Sequence, residues 1–376
     1  MSARLSYAVG MPTPEDFAAA GLYDPVEHRH TGRLELLNWL DEQGFSIDEM
    51  LVGMEVDSLQ SIASDRRLFG SERLGRDAAV AASGLSADDF DRLATALGFA
   101  AIDPTAAPDF AAAEVEVITN FGMLRTMFTD EEALSFFRVM GSAMSRIAEA
   151  GVSLFLIDVE AKHLDAGGSE LDHALKIDHA TSLVDHLALG LGPILRRQVL
   201  QSVHRSRRSM LPGIERFQFR YAIGFVDLVG FTEIAGRMHA PDLAVFLRDF
   251  EGRAHDVVTA AGARVVKLIG DEVMFVSPDA AAACRAGHDL MDGFGDEAQR
   301  VLPRGGLAYG DVLVRGGDYY GSIVNLASRL ADEAVPQELL VTEELAEAAV
   351  GCVFEPAGRR MVKGFEQPIA VRTFVS

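Results

Sequence analysis

The sequence predicts an α-helical N-terminal domain followed by an α/β domain. Apolar residues recur at helical spacing through the first two hundred positions. Two β-rich apolar runs, 218–229 and 262–276, then indicate strands. With 376 residues, 49% of them hydrophobic, the chain can bury a large core in two domains or three compact units. We place the helical domain at 1–194, a connecting segment at 195–213 and the α/β domain at 214–376.

Amphipathic helices are predicted along most of the first half. Residues 33–44 have apolar side chains at helical spacing and end in a glycine. Ser46 with Glu49, and Ser86 with Asp89, form capping-box patterns that mark the starts of two further helices. The other predicted helical segments are 109–120, 131–151, 153–162 and 171–189.

Residues 77–99 have the spacing of a helix-turn-helix, and this pattern has two interpretations. One is DNA binding and the other is a helical packing unit. Asp88, Asp89 and Asp91 lie at the start of the second helix and would repel phosphates. The net charge of −22 also argues against a nucleic-acid partner, because phosphate contacts need a basic face. We therefore expect no specific nucleic-acid partner.

A basic segment, 196–208, separates the two halves and precedes Pro212 and Gly213. Helical periodicity continues to about Met210, where the Pro-Gly pair ends it. The segment is either a solvated charge run or a switch that transmits regulation as a helix or a melted linker.

Histidines are concentrated before this point, since seven of the ten precede residue 205. Histidine changes charge near physiological pH, so a pH-sensitive domain interface is a hypothesis, with surface or packing roles as the alternative. The candidate regulatory residues are His163, His173, His179, His186, His204 and Arg205.

Cysteine usage and hydropathy limit the class of protein. Cys284 and Cys352 are the two cysteines, so neither a disulfide framework nor a thiolate metal site is expected. The sequence has no run of eighteen apolar residues and no charged-then-apolar N-terminal signal. We therefore predict a cytoplasmic protein without a transmembrane segment.

Two aspartates at predicted strand ends suggest a metal-dependent site. Asp227 lies where a strand gives way to a loop and helix, and Asp271 lies at the tip of a predicted hairpin. Mg²⁺ prefers hard oxygen ligands and keeps partners from substrate phosphates, so this pair suits a nucleoside triphosphate site. Ordinary turn aspartates are the alternative.

The C-terminal part, from about residue 216 to 374, resembles a class III nucleotidyl cyclase catalytic domain. The motifs that carry the resemblance occur in the family's order: Phe225 to Thr232, Lys267 to Glu272, Asp318, Gly321 to Arg329, and Val362 to Gly364. The resemblance implies a ferredoxin-like α/β fold with a mostly antiparallel sheet. It also implies a homodimer through the catalytic domains, because class III sites lie between two such domains.

The resemblance implies a role for each matching residue. Asp227, Asp271 and the Leu228 carbonyl would bind two Mg²⁺ or Mn²⁺ ions per active site, and Lys363 would contact the terminal phosphates. Asn325 and Arg329, four apart on one helix face, would stabilise the transition state. A solvated helix face is the alternative for that pair. Phe231 is a further substrate-binding candidate.

Substrate choice depends on Lys267 and Asp318, which match the family's purine-reading positions. A lysine donor and a carboxylate acceptor complement the Watson–Crick edge of adenine, whereas guanine presents the opposite pattern. Asp318 also reads as a hairpin-turn residue, and both roles are compatible. We therefore expect ATP to be preferred over GTP.

The helical half resembles the regulatory domain of soluble two-domain actinobacterial cyclases, including mycobacterial pH-responsive ones. Together the two resemblances imply an adenylyl cyclase regulated by its N-terminal domain, and they leave open a small effector of that domain. A catalytically idle nucleotide-sensing or partner-binding module and a guanylyl cyclase are alternatives. A diguanylate cyclase is another, suggested by Gly316-Gly317-Asp318, but its chemistry would need an acidic residue where Tyr319 stands.

Overall fold

The computed structural model describes residues 12–28, 31–56, 59–69, 73–99, 109–124, 126–156, 168–209, 218–294 and 301–376. The chain divides into two compact units, Met1–Ile194 and Leu195–Ser376. A helical N-terminal region precedes a mixed α/β domain, as predicted. No helix in the described ranges is long and apolar enough to cross a membrane.

The first unit is built from helices around two apolar cores. Its helices are α1 Pro14–Ala19, α2 Arg33–Glu42, α3 Ile47–Val56, α4 Ile62–Phe69, α5 Arg76–Ser83, α6 Ala87–Leu97, α7 Ala112–Leu124, α8 Asp130–Phe155 and α9 Glu170–Ser209, which continues into the second unit. One core joins α1–α4 to the start of α9, and the other joins α5–α8.

Local sequence explains where these helices begin. Ser46 and Glu49 cap α3 reciprocally, because the Ser46 backbone N–H donates to Glu49 Oε2 at 2.8 Å and the Glu49 N–H donates to Ser46 Oγ at 3.3 Å. The Asp89 N–H likewise donates to Ser86 Oγ at 3.2 Å at the start of α6. The capping patterns therefore located both helix starts correctly.

The helix-turn-helix segment forms α5 and α6, and both contribute to the second core. Phe90, Leu93 and Leu97 of α6 are buried in it. Arg76 of α5 forms an ion pair with Asp91 of α6 at 2.6 Å. The two helices therefore pack together within the second core.

Three sequence predictions in this unit need correction. The segment predicted as a helix from residue 109 begins as a strand, β2 Asp109–Ala111, which pairs antiparallel with β1 Arg73–Gly75. Three-residue strands are too short for a periodicity signal, and Phe110 is placed by packing on Phe90. No break precedes Ser153, because α8 continues to Phe155; the rest of the predicted 153–162 helix lies largely outside the described residues.

The third correction concerns the end of the predicted 171–189 helix. Gly190, Gly192 and Pro193 follow that segment and favour a break, yet α9 runs unbroken for 40 residues to Ser209. Propensity is a weak prior that tertiary context overrides. The basic connecting segment is therefore helical in this structure as far as Ser209.

The second unit is an eight-stranded, mostly antiparallel sheet with helices on both faces. Its strands are β3 Gln218–Val229, β4 Arg264–Ile269, β5 Glu272–Ser277, β6 Leu302–Arg315, β7 Asp318–Tyr320, β8 Leu339–Thr342, β9 Phe354–Arg360 and β10 Ile369–Phe374. The strand order is β4-β5-β3-β6-β8-β10-β9, with β7 paired to β6. The pairing of β6 with β8 is parallel, and the other pairings are antiparallel.

The helices of this unit are α10 Phe231–Ala235, α11 Ala240–Ala260, α12 Ala280–Phe294, α13 Ser322–Glu333 and α14 Glu343–Ala348. Helices α11 and α12 cover one face of the sheet, where Val226 lies, and α13 covers the other, where Tyr221, Ile223 and Phe225 lie. The two-residue alternation of β3 therefore places Asp227 on the α13 side.

Gly306 on β6 lets α13 pack directly on the sheet. A Cβ at this position would overlap backbone atoms of Ala327 and Ala331, so any larger residue would push the helix outward. The position of α13, which carries Asn325 and Arg329, thus depends on this close approach.

Candidate active site

Asp227 and Asp271 lie beside each other at the ends of β3 and the β4–β5 hairpin. Ile269 pairs with Glu272, so Gly270 and Asp271 form a two-residue loop, with Gly270 at φ 65°. Asp227 pairs in register with Glu272. The predicted hairpin tip is therefore present, and it brings Asp271 next to the β3 aspartate.

Negative charge accumulates at this strand end. Burial, followed by the charge of Asp227, raises the pKa of Asp271 to about 6. Burial raises the pKa of Glu272 to about 7, with further contributions from Asp227, Asp332 and Asp271. A cation bound among these groups would offset both the desolvation and the mutual repulsion.

The donor set fits a divalent cation that arrives with a phosphate-bearing ligand. Within the described residues, no group of three or more His, Cys, Asp or Glu side chains is arranged to hold a metal. Mg²⁺ is commonly held by one or two carboxylates together with substrate phosphates and water. Asp227 and Asp271 can supply the two carboxylates. The strand partner of Leu228 is Pro303, which has no N–H to donate to the Leu228 carbonyl.

Arg304 was not predicted from the sequence, yet it contacts Asp227 directly. Its Nε and Nη2 donate to Asp227 Oδ2 at 3.1 and 3.0 Å, and its Nη1 donates to the Asp332 carbonyl at 2.7 Å. The two side chains are opposed across β3 and β6, 77 positions apart. A lone strand arginine has no sequence signature, and its partner became evident only from the register.

Asn325 and Arg329 both lie on the exposed face of α13, as their spacing predicted. The opposite face of the helix buries Leu326, Ala327 and Leu330. The Arg329 guanidinium donates from Nη1 to Asp332 Oδ2 at 2.9 Å. Among the described residues, no hydrogen bond joins Asn325 or Arg329 to Asp227 or Asp271 of the same chain.

Lys267 and Asp318 are brought together by the fold. Lys267 Nζ lies 2.7 Å from Asp318 Oδ2, although the residues are 51 positions apart. Both side chains remain partly exposed, 43% for Lys267 and 27% for Asp318. A donor and an acceptor are thus presented side by side, which is the arrangement needed to read an adenine edge.

The other candidate residues are more scattered. Lys363 lies exposed in the connection between β9 and β10. Phe231 is only 7% exposed and stacks on Phe246 with ring centroids 5.1 Å apart, so its side chain belongs to the core. The regulatory candidates His173, His179, His186, His204 and Arg205 all lie on α9. His163 lies outside the described residues.

The raised pKa of Glu272 predicts a stability effect in the metal-free protein. Because the folded-state pKa lies above the unfolded one, protonation stabilises the fold, and this contribution is lost as pH rises through about 7. Glu272→Gln should therefore raise the melting temperature in chelator at pH 8, by roughly 2–4 °C for each 1 kcal/mol gained, and have less effect at pH 5. Glu355→Gln, an exposed change on β9, is the control. An equal shift at both pH values would contradict this assignment.

Comparison with known proteins agrees with this architecture. A family model described as adenylate cyclase regulatory domain matches residues 15–206. An adenylate cyclase of Streptomyces coelicolor is 30% identical over 283 residues, covering 74% of this chain and 72% of the relative. An uncharacterized protein of Mycobacterium tuberculosis is 33% identical over 360 residues, covering 93% and 91%. A pH-sensitive adenylate cyclase of the same species is 28% identical, covering 88% and 85%.

Among solved structures, the adenylyl cyclase CyaB from P. aeruginosa aligns with 43% of this chain and 97% of its own, at 23% identity and a TM-score of 0.39. The helical N-terminal region is thus an adenylate cyclase regulatory domain, and a mixed α/β sheet domain follows it. By the regulatory-domain match and the Streptomyces relative, the chain belongs to the adenylate cyclase family.

Proposed function

We propose that this protein converts ATP to 3′,5′-cyclic AMP and pyrophosphate, using two Mg²⁺ or Mn²⁺ ions per active site. The observation that carries the proposal is the pairing of two carboxylates, Asp227 and Asp271, at adjoining strand ends. Held there, divalent cations would favour ionisation of the ribose 3′-hydroxyl and polarise the phosphates. The raised pKa of Asp271, caused mainly by burial and increased by the charge of Asp227, supports a site that gains from a bound cation.

The purine is read by Lys267 and Asp318. The lysine ammonium donates to adenine N1, and the carboxylate accepts from the exocyclic N6 amine. Their 2.7 Å contact in the protein supports this role, because it holds the two groups at adjacent positions before a base arrives. Guanine would place a donor opposite the lysine ammonium and an acceptor opposite the carboxylate. This mismatch gives strong discrimination against GTP.

The charge of the reacting phosphates is met by side chains from several elements. Arg329, with Asn325 beside it on α13, stabilises charge that develops at the α-phosphate. Lys363 and Arg304 supply positive charge toward the leaving pyrophosphate. Arg304 can do so only after releasing Asp227, and a cation at Asp227 would promote that release by competing for the same carboxylate oxygen.

A test of adenine recognition is the double variant Lys267→Glu with Asp318→Cys. ATP turnover should fall by at least about a hundredfold, because the adenine edge loses both of its hydrogen-bonding partners. The ratio of kcat/KM for ATP to that for GTP is the measurement. The single variant Arg248→Ala, on the exposed surface of α11, is the control. An unchanged ratio would mean that these residues do not read the base.

The active unit is a homodimer with shared sites. Within one chain, Asn325 and Arg329 make no hydrogen bond to the aspartate pair, which supports their serving the site of a partner. Helix α9 also carries apolar side chains that are between 49% and 63% exposed, including Leu183, Leu187, Leu195 and Val199. A helix that is apolar on several sides is normally buried, and a second copy would supply that cover.

The N-terminal domain acts as a pH-dependent inhibitor of this reaction. The regulatory-domain match over 15–206 and the His and Arg residues along α9 support this role. In the proposed scheme, residues 1 to about 205 keep the catalytic domains apart at neutral or alkaline pH and release them on acidification. The coupling needs at least one histidine whose proton affinity differs between the two states.

A chain that begins near Met210 should therefore be more active at pH 8 than the full chain and have a flatter pH profile. A differential stabilisation of about 1.4–2.8 kcal/mol corresponds to one or two decades in the ratio of active to inactive states. Activity from pH 5.5 to 8.5 is compared for the two chains, with dimerisation verified by sedimentation. Equal activity and identical profiles in two dimeric proteins would remove this role from the helical domain.

A further inference from the structure

Strand β4 presents Arg264 and Lys267 to the same hairpin. Residues three apart on a regular strand point to opposite faces. Here the register shifts between Val265 and Lys267, so Arg264 pairs with Val276 and Lys267 pairs with Met274, two positions away on β5. The irregularity restores a common side. Lys267 then reaches Asp318, while Arg264 reaches the residues on either side of it.

Asp318 lies in the β6–β7 hairpin, whose second strand is short. Arg315 pairs with Asp318, which leaves Gly316 and Gly317 as a two-residue loop with φ of 61° and 82°, as a type I′ turn requires. Both glycines are exposed. Strand β7 is three residues long and pairs with β6 alone within the described sheet. Two flexible residues and a short strand leave the direction of Asp318 open to adjustment.

Arg264 fastens this hairpin at two points. Its Nη2 donates to the Gly317 carbonyl at 3.2 Å, and its Nη1 lies 3.5 Å from the Tyr319 hydroxyl. Tyr319 is 5% exposed and packs edge-on against Tyr221, with centroids 5.2 Å apart. The planar guanidinium therefore links the backbone of Gly317, in the hairpin loop, to a buried ring. A lysine, with one ammonium group, would hold such a pair less well.

The orientation of the Asp318 carboxylate is consistent with Arg264 holding the hairpin in place. Its Oδ1 accepts from the backbone N–H of Tyr319 at 2.8 Å, and its Oδ2 faces Lys267. The orientation of the carboxylate thus depends on the position of Tyr319 at Oδ1 and of Lys267 at Oδ2.

We propose that Arg264 is a positioning residue for purine selection, acting through Asp318 rather than by touching the base. This inference rests on the proposed reading of adenine by Lys267 and Asp318. By holding Gly317 and Tyr319, Arg264 fixes the distance between the lysine donor and the carboxylate acceptor. Without it the hairpin can move, and the pair matches adenine less closely.

The test compares Arg264→Ala, Arg264→Lys and the control Arg248→Ala in the full chain. Arg264→Ala should raise the KM for ATP about tenfold with a smaller change in kcat, and lower the ATP-to-GTP preference by a similar factor. Arg264→Lys should recover part of both. Backbone amide exchange at Asp318 to Tyr320 should accelerate in Arg264→Ala, a readout that needs no turnover. Arg248→Ala should match the native protein throughout.

A double-mutant cycle separates positioning from general support. In an Asp318→Ala background, Arg264→Ala should leave the ATP-to-GTP preference unchanged, because its effect passes through Asp318. Full additivity of the two changes would overturn the proposal. So would an Arg264→Ala protein with lower stability and kcat but native base preference and native exchange at the hairpin. Failure of the proposed function itself would appear separately, as a native protein that forms no cyclic AMP.

Discussion

Replacing Asp227 or Asp271 by alanine should remove nearly all cyclase activity while leaving a folded protein. Each carboxylate supports charge neutralisation in the reacting state, and we expect a loss in kcat of at least about a hundredfold, or roughly 2.7 kcal/mol. Asp271→Ala also relieves a desolvated carboxylate, so the variant should be no less stable than the native chain in chelator.

The measurement is kcat at saturating Mn²⁺, with Mn²⁺ binding in the presence of nucleotide measured separately by electron paramagnetic resonance. Asp249→Ala, an exposed aspartate on α11, serves as the matched control. Turnover close to that of the native enzyme in either Asp227→Ala or Asp271→Ala would eliminate the two-metal assignment.

Mixing two inactive variants should restore activity if the sites are shared. Asp227→Ala removes a metal ligand, and Asn325→Ala removes a transition-state contact. A heterodimer of the two has one site with both defects and one site with none. Random exchange gives about half heterodimers, so the mixture should reach about a quarter of native activity, given the symmetric two-site arrangement.

The control is a mixture of Asp227→Ala with Asp271→Ala. Both defects there affect the metal-binding side, so every site stays damaged and no recovery is expected. A first mixture that remains as inactive as its parents, after subunit exchange is verified with differently tagged chains, would contradict the shared-site arrangement.

Short-range features of the sheet domain could be predicted from the sequence because local chemistry determines them. The β4–β5 hairpin follows from a two-residue loop with Gly270, and this loop places Asp271 at a strand end. The spacing of Asn325 and Arg329 already implied one helix face, and α13 carries them so.

Contacts between residues far apart in the sequence were harder to predict. The approach of Lys267 to Asp318 spans 51 positions, and no spacing rule predicts it, so its expectation came from the family resemblance. Arg304 was missed because its contact with Asp227 depends on the β3–β6 register. The irregularity in β4 that places Arg264 on the same side as Lys267 has no distinct pattern in the sequence either.

In the helical domain, the errors concern where helices begin and end. Gly190, Gly192 and Pro193 favoured an end to the helix that α9 does not have. Strand β2 was read as the first turn of a helix, because a three-residue pairing is decided by a partner 36 positions away rather than by its own composition.

The most direct test of the central claim is identification of the product from a mixture of ATP and GTP. The purified full chain is incubated with equal concentrations of both nucleotides and Mn²⁺ at pH 6 and pH 8, and the products are resolved by chromatography with mass detection. The proposed site predicts cyclic AMP and pyrophosphate in equal amounts, with cyclic GTP at most a minor product. Cyclic GTP as the main product, a dinucleotide, or no cyclic nucleotide at either pH would contradict the account.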